Sequence, residues 1–231
     1  MRKLFLAAAA WGAAGAAAAQ VTLVYEAPGG ARLKVEADAA GHARVGPEGG
    51  SEYSLFRPDG AYGVLTGGDR PAVVRYADLH AASGEKAASI AGAAGAGPDG
   101  PPAIGFWLRP DGEETVGGRT GTRWILPESP LGADGSLVLA EDPALALAGA
   151  ALAEAIAESP LFAATIAGRP PGFAAELAEL LKRGAPLRIE RMVLAAEQSG
   201  PIAAERFAVP AEPMSRDELA AMLADDEDPG H

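Results

Sequence analysis

From Val21 to about Asp78 the chain is cut into short runs in which apolar and polar residues alternate, each run closed by a glycine-rich or Pro-Asp-Gly cluster. A period of two over four to seven residues places alternate side chains on opposite faces of a strand. The intervening clusters supply the backbone angles of tight turns. Val21, Leu23 and Tyr25 share one face, and Ala27-Pro28-Gly29-Gly30 reverses the chain. Leu33 and Val35 then alternate with Arg32, Lys34 and Glu36, so one side is wet and the other buried. His42 to Val45 makes a third strand. Glu52 to Arg57 and Ala61 to Thr66 are joined by Pro58-Asp59-Gly60, and Pro71 to Tyr76 closes an antiparallel meander.

Residues 82–103 are mostly Ala, Gly, Ser and Pro, including Gly95-Ala96-Gly97 and Pro98-Asp99-Gly100-Pro101-Pro102. They offer little apolar surface to offset the entropy of ordering, and a flexible loop is predicted. Strand signals resume with Ile104 to Arg109, a Pro110-Asp111-Gly112 turn, Glu114 to Gly118, Gly121 to Leu126 and Ser136 to Ala140. Asp142-Pro143 reads as an N-cap with proline at the first helical position, ahead of Leu145, Ala148, Leu152 and Ile156 at helical spacing. That helix should end near Glu158. Ser159-Pro160 starts a second, short helix with Phe162 and Ile166. A third, from about Gly172 to Arg183, buries Phe173, Leu177, Leu180 and Leu181.

Leu187 to Ala196 and Ala203 to Val209 return the chain to strand. Ser215-Arg216-Asp217-Glu218 forms a capping box ahead of Leu219, Met222 and Leu223. The fold class predicted is α+β: a strongly curved antiparallel sheet, or half-barrel, with about three helices inserted late and packed on its concave face, plus a C-terminal helix. Residues 20–211 would form this single domain, with 143–183 as the helical insertion and 212–231 as the C-terminal helix and acidic tail.

The N-terminus carries Arg2-Lys3, an apolar Leu4-Phe5-Leu6 and alanine stretch, and Ala17-Ala18-Ala19 before Gln20. This is the layout of a cleavable signal peptide over residues 1–19 and predicts a periplasmic or secreted protein. The apolar run is shorter than the roughly 20 residues of a spanning helix, so no stable membrane insertion is expected after cleavage. Loss of Arg2 and Lys3 moves the formal charge of −12 to −14. An acidic chain is a poor partner for nucleic acid, whose binding depends on Lys and Arg replacing counterions. There is no cysteine, which removes disulfides, thiol chemistry and thiolate zinc sites and leaves stability to a core.

Few motifs point to chemistry. His42, His80 and His231 do not make up the three or four convergent ligands of a metal site. No serine lies in a G-x-S-x-G elbow, and Gly92 to Gly97 lacks the Lys-Ser/Thr of a phosphate loop. Glu113 and Glu114 are neighbours in a strand and point to opposite faces. Arg119 and Arg123 beside Trp124 suit an anion or a ring, or merely cover apolar sheet with their stems. Neither catalytic residues nor a cofactor or metal are expected.

The stretch Val116-Gly117-Gly118-Arg119-Thr120-Gly121-Thr122-Arg123-Trp124, the helical segment beginning Asp142-Pro143, and the closing Arg206-Phe207-Ala208-Val209-Pro210-Ala211 resemble a family of uncharacterised bacterial periplasmic proteins. Their architecture is similar to that of the LolA/LolB lipoprotein carriers. The resemblance implies a scaffold that holds a hydrophobic ligand, or a lipoprotein partner, between sheet and helices. Trp107, Trp124, Leu145, Leu152, Phe162 and Phe173 would line such a space. Aromatics make up only 6% of the chain and the helices are rich in alanine, so an interaction module with a filled core stands as the alternative.

Overall fold

The computed structural model describes residues 19–82, 107–127, 135–162, 169–170 and 172–225. The expected signal segment before Ala19, the loop between 83 and 103, Ile166 and the tail after Asp225 lie outside these residues.

The alternating runs form strands as expected: β1 (Gln20–Glu26), β2 (Arg32–Asp38), β3 (Ala43–Pro47), β4 (Glu52–Arg57), β5 (Gly60–Leu65) and β6 (Ala72–Arg75). The second half supplies β7 (Arg109–Val116), β8 (Arg119–Ile125), β9 (Ser136–Ala140), β10 (Ala185–Ile189) and β11 (Met192–Ser199). All eleven belong to one open antiparallel sheet in the order β6-β5-β4-β3-β2-β1-β11-β10-β9-β8-β7. Two meanders are thus joined where β1 meets β11, with Val21 opposite Ser199 and Tyr25 opposite Leu194. The edge strand β7 has Arg109, Asp111, Glu113 and Pro110 along its exposed run, features that discourage pairing with another chain.

Three helices accompany the sheet: α1 (Ala146–Glu158), α2 (Phe173–Leu181) and α3 (Arg216–Asp225). A further helical segment, 76–82, follows β6. Helix α1 lies across β10 and β1 to β4, and α2 packs on α1. Leu145, Leu152 and Leu181 have no exposed surface and meet Leu23, Tyr25, Val35, Val45 and Leu137 in one core cluster. Burying each such leucine is worth roughly 1.5–3 kcal/mol before the entropy of ordering it is subtracted.

Within this core glycine meets backbone directly. A Cβ on Gly149 of α1 would overlap the carbonyl oxygens of Leu181 and Gly184, and one on Gly184 would overlap that of Ala140. Two bare Cα positions therefore let α1, the turn after α2 and the end of β9 stack in direct contact.

Four sequence expectations are corrected. Asp142 does not cap α1. Its carboxylate accepts from the Ala144 N–H, 2.9 Å away, closing a turn, and the helix begins at Ala146. The Pro110-Asp111-Gly112 cluster is no hairpin: β7 runs through it, and the register shifts between Pro110 and Glu113 as a bulge with Gly112 at φ 81°. At Pro58-Asp59-Gly60 the same tripeptide does make the β4–β5 turn.

The run from Leu187 to Ala196 is not one strand but parts of β10 and β11, which turn at Glu190, with φ 50°. The left-handed backbone is held because Glu190 N–H donates to the Ser136 carbonyl at 2.7 Å and its side chain pairs with buried Arg169. Ala203 to Val209 is not a strand. It contains a 3-10 turn, Ala204–Phe207, that crosses the sheet face opposite α1. There Val209 and Ala211 pack on Tyr53, Leu55, Tyr62, Val64 and Val73.

Candidate functional site

After crossing the opposite face, the chain reaches the β6 edge, where Met214 N–H donates to the Val73 carbonyl at 2.8 Å. It then enters α3 through the capping box read in the sequence. Glu218 N–H donates to Ser215 Oγ at 3.3 Å, and Ser215 N–H donates to the Glu218 carboxylate at 2.8 Å. Arg216 pairs with Asp78 at 2.8 Å, fixing α3 against the segment 76–82.

These contacts frame an apolar cavity of about 290 Å³ among β5, β6, the segment 76–82, the Pro160 turn and α3. Leu65, Val74, Tyr76, Leu79, Leu219 and Met222 provide most of its wall. Leu219 is 1% exposed and closes one side, whereas Leu65 and Met222 are 50% and 42% exposed. Among the described residues those two are the exposed large hydrophobics, and both border this cavity. Exposed apolar surface gathered around one concavity is the form a ligand-binding groove takes.

Below the cavity the wall becomes polar. Ser54 Oγ lies 2.7 Å from Tyr76 Oη and 2.7 Å from Ser159 Oγ, and Tyr76 Oη lies 3.2 Å from Ser159 Oγ. This ring of three buried hydroxyls joins β4, the start of segment 76–82 and the end of α1. Burial pushes the Tyr76 phenol up, against the pull of its two serine hydrogen bonds. Tyr76 can lie flat on the sheet because β5 carries glycine beneath it: a Cβ on Gly63 would stand 2.9 Å from the Tyr76 ring. His80 stands beside Tyr76 with ring centroids 6.4 Å apart, and its Nε2–H donates to the Glu158 carbonyl at 3.1 Å.

The six side chains expected to line a ligand space sit elsewhere. Leu145, Leu152 and Phe173 are at most 1% exposed within the helix–sheet core, Phe162 is buried at its margin, and Trp107 and Trp124 pack partly buried against it. None of the six lines this cavity. The leucine stripe of α1 meets sheet, and the cavity lies past the end of that helix, beyond Ser159.

The remaining sequence candidates are matched by structural partners. Arg119 pairs with Glu197 and lies 3.6 Å from Asp142. Arg123 lies 3.7 Å from Asp111. Asp38 and His42, four residues apart, were not legible as a pair, yet Asp38 accepts from the His42 ring at 2.9 Å across the β2–β3 turn. Burial pushes the Asp38 carboxyl up, and the hydrogen bonds and charge of His42 more than offset it, holding it below the usual range. Phe207 stacks on a face of that ring, with centroids 5.8 Å apart. Among the described residues no group of three metal-ligating side chains occurs, and no helix is long and apolar enough to cross a membrane.

Fold and site together define an α+β protein with an open eleven-stranded antiparallel sheet and an apolar cavity at one edge. No family model, curated protein or solved structure matches the chain.

Proposed function

We propose that this is an exported, non-enzymatic protein that binds an apolar group, an acyl segment of a lipid or of a lipid-modified partner, between its sheet and its helices. In this reading residues 1–19 direct export and are removed, the protein works in the periplasm, and the sheet acts as a half-barrel whose concave face the helices cover. The observation that carries the reading is the apolar cavity rimmed by exposed Leu65 and Met222. Its volume of about 290 Å³ lies near the lower end of the roughly 300–1,000 Å³ of small-molecule pockets. A single short chain fits this space better than a whole lipid.

The hydroxyls of the ring below the cavity are spent on one another, which suits a structural role. The nearby imidazole commits Nε2–H to a backbone carbonyl, so that nitrogen is not free to take a proton from a serine. The second reading, an interaction module with a solid core, draws its support from the filled α1–sheet interface, where Leu145 and Leu152 are fully buried.

Titration of the purified protein with a dansyl-labelled medium-chain fatty acid separates the two. The binding reading expects saturable fluorescence enhancement that Leu65→Glu and Met222→Glu each weaken at least about tenfold, since a bound chain would desolvate the new carboxylate at the rim and that costs more than the 1.4 kcal/mol of one decade. Both positions are exposed, so the variants keep the fold. Absence of binding in the wild type, or wild-type binding in both variants, refutes the reading and leaves the module.

A further inference from the structure

We infer that the sheet face opposite α1 carries a second site, a socket for a phosphate-type oxyanion formed by Lys34 of β2, Arg44 of β3 and Arg206 of the crossing 3-10 turn. The three cations border a cavity of about 240 Å³ together with Glu36, Glu48 and Tyr53. They lie close in space because strand register puts Glu36 opposite Arg44 and Lys34 opposite Gly46 on one face, over which the turn carries Arg206.

The charges do not cancel. Glu36 is 4% exposed and is shared: Lys34 Nζ lies 2.9 Å from one oxygen, and Arg206 Nε donates to the other at 3.1 Å. Glu48 is held by Arg32 at 2.7 Å. Among the described residues the Arg44 side chain makes no hydrogen bond and no ion pair within 4 Å; its guanidinium lies over Tyr53, 3.5 Å from the ring centroid. Arg206 Nη1 likewise makes no hydrogen bond, since Nε and Nη2 serve Glu36. Three cations thus face one inward carboxylate, in a chain whose formal charge is −12.

A half-buried guanidinium that shares its nearby carboxylate, Glu36, with two other cations is costly unless a further anion meets it. Burial and then the charge of Arg206 pull the Arg44 guanidinium below its ordinary range, and Tyr53 and the Glu36 carboxylate offset them only in part. A phosphate offers two oxygens to the planar fork of Arg44 and a third to Arg206 or Lys34, the geometry in which arginine binds best. The space itself depends on glycine: a Cβ on Gly46 would stand 2.7 Å from Tyr53 Cβ and 2.8 Å from the Glu52 carbonyl oxygen, forcing Tyr53 and Arg44 from their places. Room beyond one oxyanion remains, so a phosphomonoester fits, supplied by a small soluble molecule or by a lipid headgroup.

Calorimetric titration of the full chain with inorganic phosphate at constant ionic strength tests the site. Saturable binding is expected, weakened at least tenfold by Arg44→Gln and about threefold by Lys34→Gln. It should be unchanged by Arg75→Gln, whose cation sits over Tyr62 elsewhere. Lys34 is partly exposed, so its variant keeps the test valid should Arg44→Gln fold poorly. Vesicles of phosphatidic acid in phosphatidylcholine distinguish the source: sedimentation with the vesicles that free phosphate reverses points to a headgroup, and phosphate binding without sedimentation points to a soluble ester. No saturable phosphate binding, wild-type affinity in both glutamine variants, or vesicle binding that phosphate leaves intact overturns the inference.

Discussion

Gly149→Ala sets two effects of opposite sign against each other. In an exposed helix the change stabilises by about 1 kcal/mol, because alanine is the better helix former. Here the added carbon would overlap the carbonyl oxygens of Leu181 and Gly184 and lie 2.7 Å from the Gly184 carbonyl carbon. These are backbone atoms of the turn that ends α2, and they cannot rotate away. The turn cannot retreat either, since Gly184 is itself pressed on Ala140 at the end of β9. Over-packing a core costs typically 1–3 kcal/mol, and a clash with backbone on both sides belongs at the upper end, about 3 kcal/mol. Net destabilisation is then about 2 kcal/mol. At the 2–4 °C per kcal/mol of a domain this size, Tm should fall by about 4–8 °C. Urea unfolding followed by far-UV circular dichroism measures it. A Gly149→Ala variant as stable as the wild type, or more stable, would show that α1 does not contact that turn and would refute the packing account.

Two further outcomes follow from polar groups. Glu36→Gln should cost about 1–2 kcal/mol at pH 7, because it leaves Arg206 and Lys34 facing a neutral amide; partial exposure of Arg206 keeps the figure below that of a fully buried pair. Burial pushes the Glu36 carboxyl up, but hydrogen bonds and charge from Arg206 and Lys34 hold it below the usual range in the folded state. Its contribution is therefore complete above the unfolded value of about 4.3 and is lost as pH falls through the folded one. The stability gap between wild type and variant should narrow below about pH 4, and a gap that is constant or widens there contradicts the pairing. Ser54→Ala removes one member of the hydroxyl ring under the cavity and should cost about 1–2 kcal/mol, read by urea unfolding at neutral pH. A loss below about 0.5 kcal/mol would show that the ring contributes nothing.

How much of this was legible depends on how local the determinant is. The hairpins from Val21 to Tyr76 could be read because glycine and proline mark their turns, and the capping box at Ser215 because all its atoms lie within four residues. The Pro-Asp-Gly at 110–112 looked the same as the one at 58–60. It became a bulge because β8 pairs on both sides of it, a fact of tertiary partnership. The Glu190 turn contains neither glycine nor proline and is held by Ser136 and Arg169, far along the chain. The cavity was hidden for the same reason. Gly63, Tyr76, Pro160 and Leu219 share no periodic pattern, whereas the regular stripe of Leu145 and Leu152 drew attention to what is the core.

The most direct test of the account uses a medium-chain fatty acid carrying a photoreactive diazirine near its tail, with cross-linked peptides mapped by mass spectrometry. Labelling should fall on peptides containing Leu65, Leu79 and Met222 and disappear in Met222→Glu. Labelling confined to the α1 and α2 peptides around Leu152 and Phe173, or none above a non-binding control protein, contradicts the assignment of the cavity.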